Sequence, residues 1–445
     1  MNWLVDLPVG GAWGRSLQKQ LQQNLKHLWL DGLFASASDN IILNFVSLYI
    51  LALGASEVQI GLMSSLSSFV GAGMLLLGAI LAEKLGRHKE ITTFSGGGLS
   101  RFSMLLLIFV PMIFKGPAMI WVAIAFSVAR DSFGNLSYPA WVSVLNEVVP
   151  IEGRGRYFGS RNFVMSIAGM VTTLLAGKLI TLFVYETGYQ IALGVAVVLG
   201  GFSTVNFFKI KTAPKFKQPF HLSGFSLKKL SSRFKGQPQF VALMITAAVW
   251  NFAINISGPF FNPFMVKNLG FSASDVGFLA VVTSISSLLV FNRIGTLSDR
   301  LGPRKVQLIS MWLIPLLPVM WFFATKVWHI VLINTFGGVI WAAFNLTSFN
   351  LMLNSIPKNQ VPRYSALYQI MVTLSLAFGA LLGSSTIPLW GFHGLLIASF
   401  AVRIVAASLF AIMVKEPAKE QMVSEEIAPI SEPQLIQEDP HGQDQ

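Results

Sequence analysis

Cysteine is missing from the 445 residues, which excludes disulfide frameworks, thiolate metal sites and cysteine nucleophiles. Charge is scarce as well: 12% of residues are Asp, Glu, Lys or Arg, about half the share usual in soluble domains. Histidine occurs six times, at His27, His88, His221, His329, His393 and His441. No two of these have metal-ligand spacing, so no metal is expected. Gly-x-x-x-x-Gly-Lys-Ser/Thr is absent, which rules out a P-loop ATPase. No short apolar core with a small-residue cleavage site stands near the N-terminus, so no cleaved signal is expected. Nothing in the pattern asks for a cofactor or an enzyme active site.

What the chain has instead is apolar length. Hydrophobic residues make up 53%, and mean hydropathy is +0.62. A bilayer core needs about 20 apolar residues as helix. Twelve runs qualify: 28–53, 57–82, 91–114, 117–145, 160–184, 189–208, 239–266, 274–297, 305–325, 328–355, 364–389 and 394–414. Helix is required, because backbone groups in lipid must pair within their own segment, and runs such as MLLLIFVPMIF lack the period-two alternation of barrel strands. The expected fold is an all-α membrane protein of 12 transmembrane helices in two six-helix bundles.

Lys and Arg set the expected orientation. With both termini cytoplasmic, the inner segments hold 24 basic residues and the outer loops three, Lys115, Lys267 and Lys326. Without the basic linker 209–238 the ratio is still 16 to 3. This distribution accounts for the formal charge of +12 through a membrane surface, and no nucleic-acid partner is expected. Trp13, Leu17, Leu21 and Leu25 recur every fourth residue within 1–27, as an amphipathic segment on the membrane face or an extension of the first helix. Residues 416–445 carry eight of the 20 acids and read as a disordered cytoplasmic tail. The expected domains are thus 1–27, a bundle over 28–208, the linker 209–238, a bundle over 239–415, and the tail.

The two bundles repeat one phrase. Residues 78–90 read GAILAEKLGRHKE and residues 295–307 read GTLSDRLGPRKVQ. Setting Gly86 on Gly302 (302 − 86 = 216) places Gly61 on Gly277, Glu83 on Asp299, Lys84 on Arg300 and Lys89 on Lys305. PIEGRGRY at 150–157 and PKNQVPRY at 357–364 align at an offset of 207. Two similar bundles rocking about a central site give alternating access.

These residues resemble the major facilitator superfamily, whose signature between the second and third helices is Gly-x-Leu-x-Asp-Arg-x-Gly followed by basic residues. Gly295, Leu297, Asp299, Arg300, Gly302, Arg304 and Lys305 match it, and Leu81, Glu83, Lys84, Gly86, Arg87 and Lys89 follow it more loosely, with Ala79 at the leading glycine. The resemblance covers about residues 28–414 and implies a cytoplasmic latch at Glu83, Gly86, Arg87, Asp299, Arg300, Gly302 and Arg304. Arg130 with Gly134 resembles the fourth-helix Arg-x-x-x-Gly pattern, which implies proton coupling through that arginine. The fifth run lacks the Gly-Pro pair typical of drug–proton antiporters.

Charge within the spans is costly, about 3 kcal/mol at the midplane, so each such residue needs a partner, water or a task. Asp39 and Asp131 are the deep acids, with Arg101, Arg130, Lys178 and Arg403 the deep bases. Arg130 and Asp131, adjacent in sequence, point about 100° apart on a helix, so Asp39 is the expected partner of Arg130. The coupling candidates are Asp39, Arg130 and Asp131. Arg101 and Arg403, on the third and twelfth spans, which are peripheral in the superfamily this chain resembles, are expected to snorkel or bond locally, and Lys178 has no assignment. Polar stripes give the cavity candidates Asn40, Asn44, Tyr138, Trp141, Asn251, Asn255, Asn262, Trp341 and Asn345, on the four helices that line the cavity in the superfamily.

The expected function is secondary active transport of a small organic solute by alternating access, coupled to protons, by a monomer in the plasma (bacterial inner) membrane. A facilitator or organic-anion exchanger, with Arg130 binding solute and no proton moving, is the alternative within transport. A membrane assembly or sensing factor that kept the fold is the alternative from another class.

Overall fold

The computed structural model describes residues 6–183, 186–212, 237–355 and 361–415. Most of the basic linker, the 356–360 connector and the acidic tail lie outside them. The first bundle contains α1 (Lys19–Ala52), α2 (Glu57–Leu85), α3 (His88–Ile113), α4 (Pro117–Val148), α5 (Arg154–Leu182) and α6 (Thr187–Phe208). The second contains α7 (Pro238–Lys267), α8 (Ala273–Leu301), α9 (Pro303–Phe322) and α10 (Val327–Asn354), then α11 (361–390) and α12 (392–413), parted at Gly391, where φ is 61°. Among the described residues, ten helical stretches are long and apolar enough to cross a membrane. The count falls short of twelve because α11 and α12 run together and because α4, with Arg130 and Asp131 in its middle, is not among the ten.

The repeat extends further than the charged phrase. Gly54 (φ 97°) and Gly270 (φ 68°) turn the chain before α2 and α8, and Ser56 and Ser272 cap those helices with reciprocal bonds to Gln59 and Asp275. All three pairs keep the offset of 216 (270 − 54, 272 − 56, 275 − 59). The pattern Gly-x-Ser-x-x-Gln/Asp-x-Gly therefore opens both α2 and α8 and ends on Gly61 and Gly277.

Those two glycines mark the seam between the bundles. A Cβ on Gly61 would stand 2.6 Å from the Phe260 ring and 2.7 Å from Ser384, and one on Gly277 would stand 3.0 Å from the Thr173 carbonyl and 3.3 Å from the Phe45 ring. Hydrogen bonds stitch the same region: Ser384 Oγ donates to the Val58 carbonyl (2.7 Å), Ser65 Oγ to that of Ala377 (3.0 Å), and Asn262 Nδ2 to that of Asn44 (3.2 Å). The seam lies in the half of the molecule away from the termini and reaches mid-depth at the edge-on pair Phe69–Phe378.

The stretch before α1 turns inward. Leu7–Val9 and Ala12–Arg15 form two short helical turns closed by an Arg15–Asp6 ion pair at 2.9 Å. Trp13 and Leu17 pack with Val9, Leu25, Leu28, Val144 and Tyr157, and Trp13 fills the space beside Gly153 at the α4–α5 connector. Their apolar faces are thus buried on protein, while residues 19–27 extend the first helix.

Candidate solute site

Helix α4 is brought deep into the first bundle by two glycines seven residues apart on α2. A Cβ on Gly78 would overlap the Leu136 carbonyl at 2.0 Å, and one on Gly71 would press the Asn135 amide at 2.8 Å. Glycine at these places lets the two backbones approach, and the approach turns the polar middle of α4 toward α1 and α3. Arg130 Nη2 donates to Asp39 Oδ1 of α1 at 2.9 Å. Its Nη1 donates to Asp131 Oδ1 at 2.7 Å. The separation expected for adjacent residues on a helix does not apply here, because the long arginine side chain reaches back to its neighbour while still meeting α1.

Arg101 joins them. Its Nη1 donates to the same Asp39 Oδ1 at 3.0 Å and to Ser38 Oγ at 3.0 Å, so this guanidinium faces the bundle interior instead of snorkelling. Its place depends on an unusual backbone. Thr92–Leu99, sequence TTFSGGGL, is a π-helix within α3, and its wider turns set the angle at which Ser100 and Arg101 leave the helix. Ser100 Oγ accordingly reaches the Arg130 carbonyl at 2.9 Å, and Ser95 Oγ the Phe133 carbonyl at 2.7 Å. Arg101 lies against Gly200 of α6, where a Cβ would stand 2.6 Å from Nε.

A second ion pair lies two turns nearer the termini on α1. Asp31 accepts from Ser203 Oγ at 2.7 Å and faces Arg161 Nη2 at 3.5 Å, while Arg161 Nε donates to the Leu28 carbonyl at 3.1 Å. Asp31 is 6% exposed and Arg161 4%. Sequence position had suggested only an inner-surface arginine there. The spacing Asp31–Asp39, eight residues along one helix face, was the available signal. Breaking a buried pair strands a charge, at a cost of about 3–5 kcal/mol. Arg161→Met should therefore lower the thermal midpoint of the purified protein sharply, and adding Asp31→Leu should recover much of the loss. An unchanged midpoint in the single variant would show that the pair contributes nothing.

Both ion clusters line one cavity of about 700 Å³. Of the candidates, Asp39, Asn40, Arg130, Asp131, Tyr138 and Trp141 stand on its wall. Ten serines and threonines accompany only two asparagines there, so its polarity comes from hydroxyls and not from the expected amides. Among the described residues the wall comes almost wholly from the first bundle, with Thr373 of α11 the one residue from the second.

The other amide candidates are occupied elsewhere. Asn44 Nδ2 bonds the Asn40 carbonyl and Asn251 Nδ2 that of Ala247, each within its own helix. Asn255 Nδ2 ties α7 to the Leu376 carbonyl of α11, and Asn262 belongs to the seam. Trp341 packs edge-on against Phe344, and Asn345 is exposed outside this cavity. Asn255 and Asn262 thus hold helices together, Asn44 and Asn251 bond within their own helices, and none of these amides lines the cavity.

On the terminal face Gly86 and Gly302 take φ of 63° and 86°, values that favour glycine at the ends of α2 and α8. Glu83, Arg87, Asp299 and Arg300 are exposed. Arg304 donates to the carbonyls of Ala411 and Val414, binding α9 to the end of α12 within its own bundle.

The model of the Major Facilitator Superfamily matches residues 28–261 and 243–436, once for each bundle. The chain belongs to the major facilitator superfamily. Relatives within that superfamily include the multi-drug resistance efflux pump PmrA of Streptococcus pneumoniae serotype 4 (strain ATCC BAA-334 / TIGR4), 22% identical over 386 residues, 85% of this chain and 92% of that protein. The multidrug resistance protein MdtG of Proteus mirabilis (strain HI4320) is 22% identical over 389 residues, covering 86% and 93%. Among solved structures, the nucleoside transporter NupG has a TM-score of 0.66 at 15% identity, covering 88% to 89% of this chain and 99% to 100% of the other. A D-xylose-proton symporter has 0.67 at 14%, covering 88% and 97%. As a member of the superfamily the chain is a multi-pass integral membrane transporter of small molecules.

Proposed function

We propose that this transporter couples the movement of a small polar organic solute to protons, with Asp39 as the proton-carrying group and Arg130 as its conformation-dependent partner. The observation that carries the reading is one carboxylate gripped by two guanidiniums on the wall of the solute cavity, with its side chain still 48% exposed. Such a carboxylate gains or loses its arginines as helices move, and its hold on a proton changes with them. The hydroxyl-rich wall favours a solute with several hydrogen-bonding groups.

With the termini in the cytoplasm, as the basic residues favour, the seam closes the outer side and the pose is inward-open. In the opposite pose the terminal face closes, and Glu83, Arg87, Asp299 and Arg300 would meet there as the latch. The bacterial inner membrane suits this orientation, and a single chain is enough to form the cavity. The names of the bacterial relatives favour export as the direction.

Purified protein in sealed vesicles tests the reading. An imposed pH gradient should drive solute from a broad polar panel against its concentration, with matching proton movement reported by a trapped pH dye. Solute that equilibrates without proton movement would instead establish a facilitator or exchanger. No flux for any solute, with a stable protein partner co-purifying, would establish an assembly or sensing role.

A further inference from the structure

The geometry points to a solute that carries a carboxylate or similar oxyanion, docked between Arg101 and Arg130 in the place that the Asp39 carboxylate holds in this pose. The inference rests on the transport reading above and names the chemistry of its cargo. It begins with charge. Arg101 and Arg130 face Asp39 and Asp131, so the cluster is balanced as it stands. The second pair, Asp31 with Arg161, balances itself. Among the described residues, Asp39 is the one acid in direct ion-pair contact with Arg101. Once Asp39 is neutral or turned away, two guanidiniums remain with one carboxylate between them, and the cavity wall carries an uncompensated positive charge.

Access supplies a second observation. Both guanidiniums stand on the cavity wall with part of each side chain open to it, 15% for Arg101 and 23% for Arg130. A guanidinium only donates, and its edge matches an oxyanion in shape and charge. Ser67 of α2 and Thr93 of α3 stand on the same wall. Tyr138 and Trp141, stacked with ring centroids 5.9 Å apart, offer a flat apolar face for a ring. Among the described residues, no other ionisable side chain lines the cavity.

The Asp39 carboxylate is thus an internal occupant that a solute displaces. This leads to an outcome that a merely structural aspartate would not give: removing it improves binding. The test uses the purified full chain, with phenylacetate and indole-3-acetate as probes, each against its own amide, and tetraphenylphosphonium as the cationic comparison. Equilibrium dialysis measures affinity directly, so a change in stability does not decide the result. The carboxylates should bind in preference to their amides, and Asp39→Asn should tighten them by about tenfold, the worth of one charge-assisted bond. Arg101→Gln in the Asp39→Asn background should cancel that gain. Amides binding as well as carboxylates, tighter binding of the phosphonium, or weaker or unchanged carboxylate binding in Asp39→Asn would each overturn the assignment. The transport reading fails separately: transport itself if vesicles move none of the neutral, cationic and anionic solutes, and its proton coupling if solute moves without protons.

Discussion

Tryptophan at Gly61 and Gly277 should force the far face of the protein open and stop transport. At Gly61 the other bundle leaves no room for even a methyl group at its present spacing, against Phe260 and Ser384, and at Gly277 a methyl would already crowd the Thr173 carbonyl and the Phe45 ring, so a tryptophan at either site must push the bundles apart. The two sites are related by the internal repeat, so the wedges act on matching crossings, α2 against α7 and α11, and α8 against α1 and α5. Overpacking costs about 1–3 kcal/mol per site, and the poses of a two-state protein differ by only a few kcal/mol, so two wedges suffice to reverse the balance. The chain has no cysteine of its own, so Ala377→Cys gives a clean reporter at the seam. In wild type it should resist a membrane-impermeant maleimide applied from the far side, and in the double tryptophan variant it should react readily. A well-folded variant whose reporter stays protected would refute the gating role of the seam.

Asp39→Asn should abolish uphill transport while leaving exchange intact. Asparagine keeps the shape and one hydrogen-bond acceptor for Arg130 and Arg101, so the helices retain a contact across the cavity. What it removes is the group that takes up and releases a proton. Accumulation driven by a pH gradient should fall to the level of empty vesicles, and counterflow between labelled and unlabelled solute at equal pH should persist. Adding Asp131→Asn closes the remaining route, because Asp131 shares Arg130 at 2.7 Å. Undiminished uphill flux in the double variant would rule out both carboxylates as the coupling group.

Much of the architecture was readable from the chain because lipid simplifies the code. Hydrophobic length alone marks the helices, and the repeated charged phrase marks the two bundles. The partnership of Asp39 with Arg130 was readable for a related reason: few charges survive in the membrane, so few pairings are available. Orientation about the helix axis was harder. Arg101 was indistinguishable from a snorkelling residue until the π-helix before it showed where its side chain turns. Asp31 and Arg161 lie near the membrane surface in sequence, and only the fold buries them against Ser203 and Leu28. The asparagines of α7 looked like a cavity stripe, but an amide serves equally well as interhelical glue, and the sequence does not distinguish the two. Asn255 shows the difference, spending its donor on Leu376 of the neighbouring helix.

The glycine-rich bulge in α3 gives that helix slack. Wide turns over Thr92–Leu99 absorb about one residue more than ordinary α-turns would hold. Tightened at constant length, the segment would swing Arg101 by about 100° around the axis and carry its charge off Asp39. Deleting one of Gly96, Gly97 or Gly98 should instead let the helix tighten with no swing, and Asp39-dependent flux should survive. A single codon would then separate a helix able to re-aim its guanidinium from one that holds it fixed.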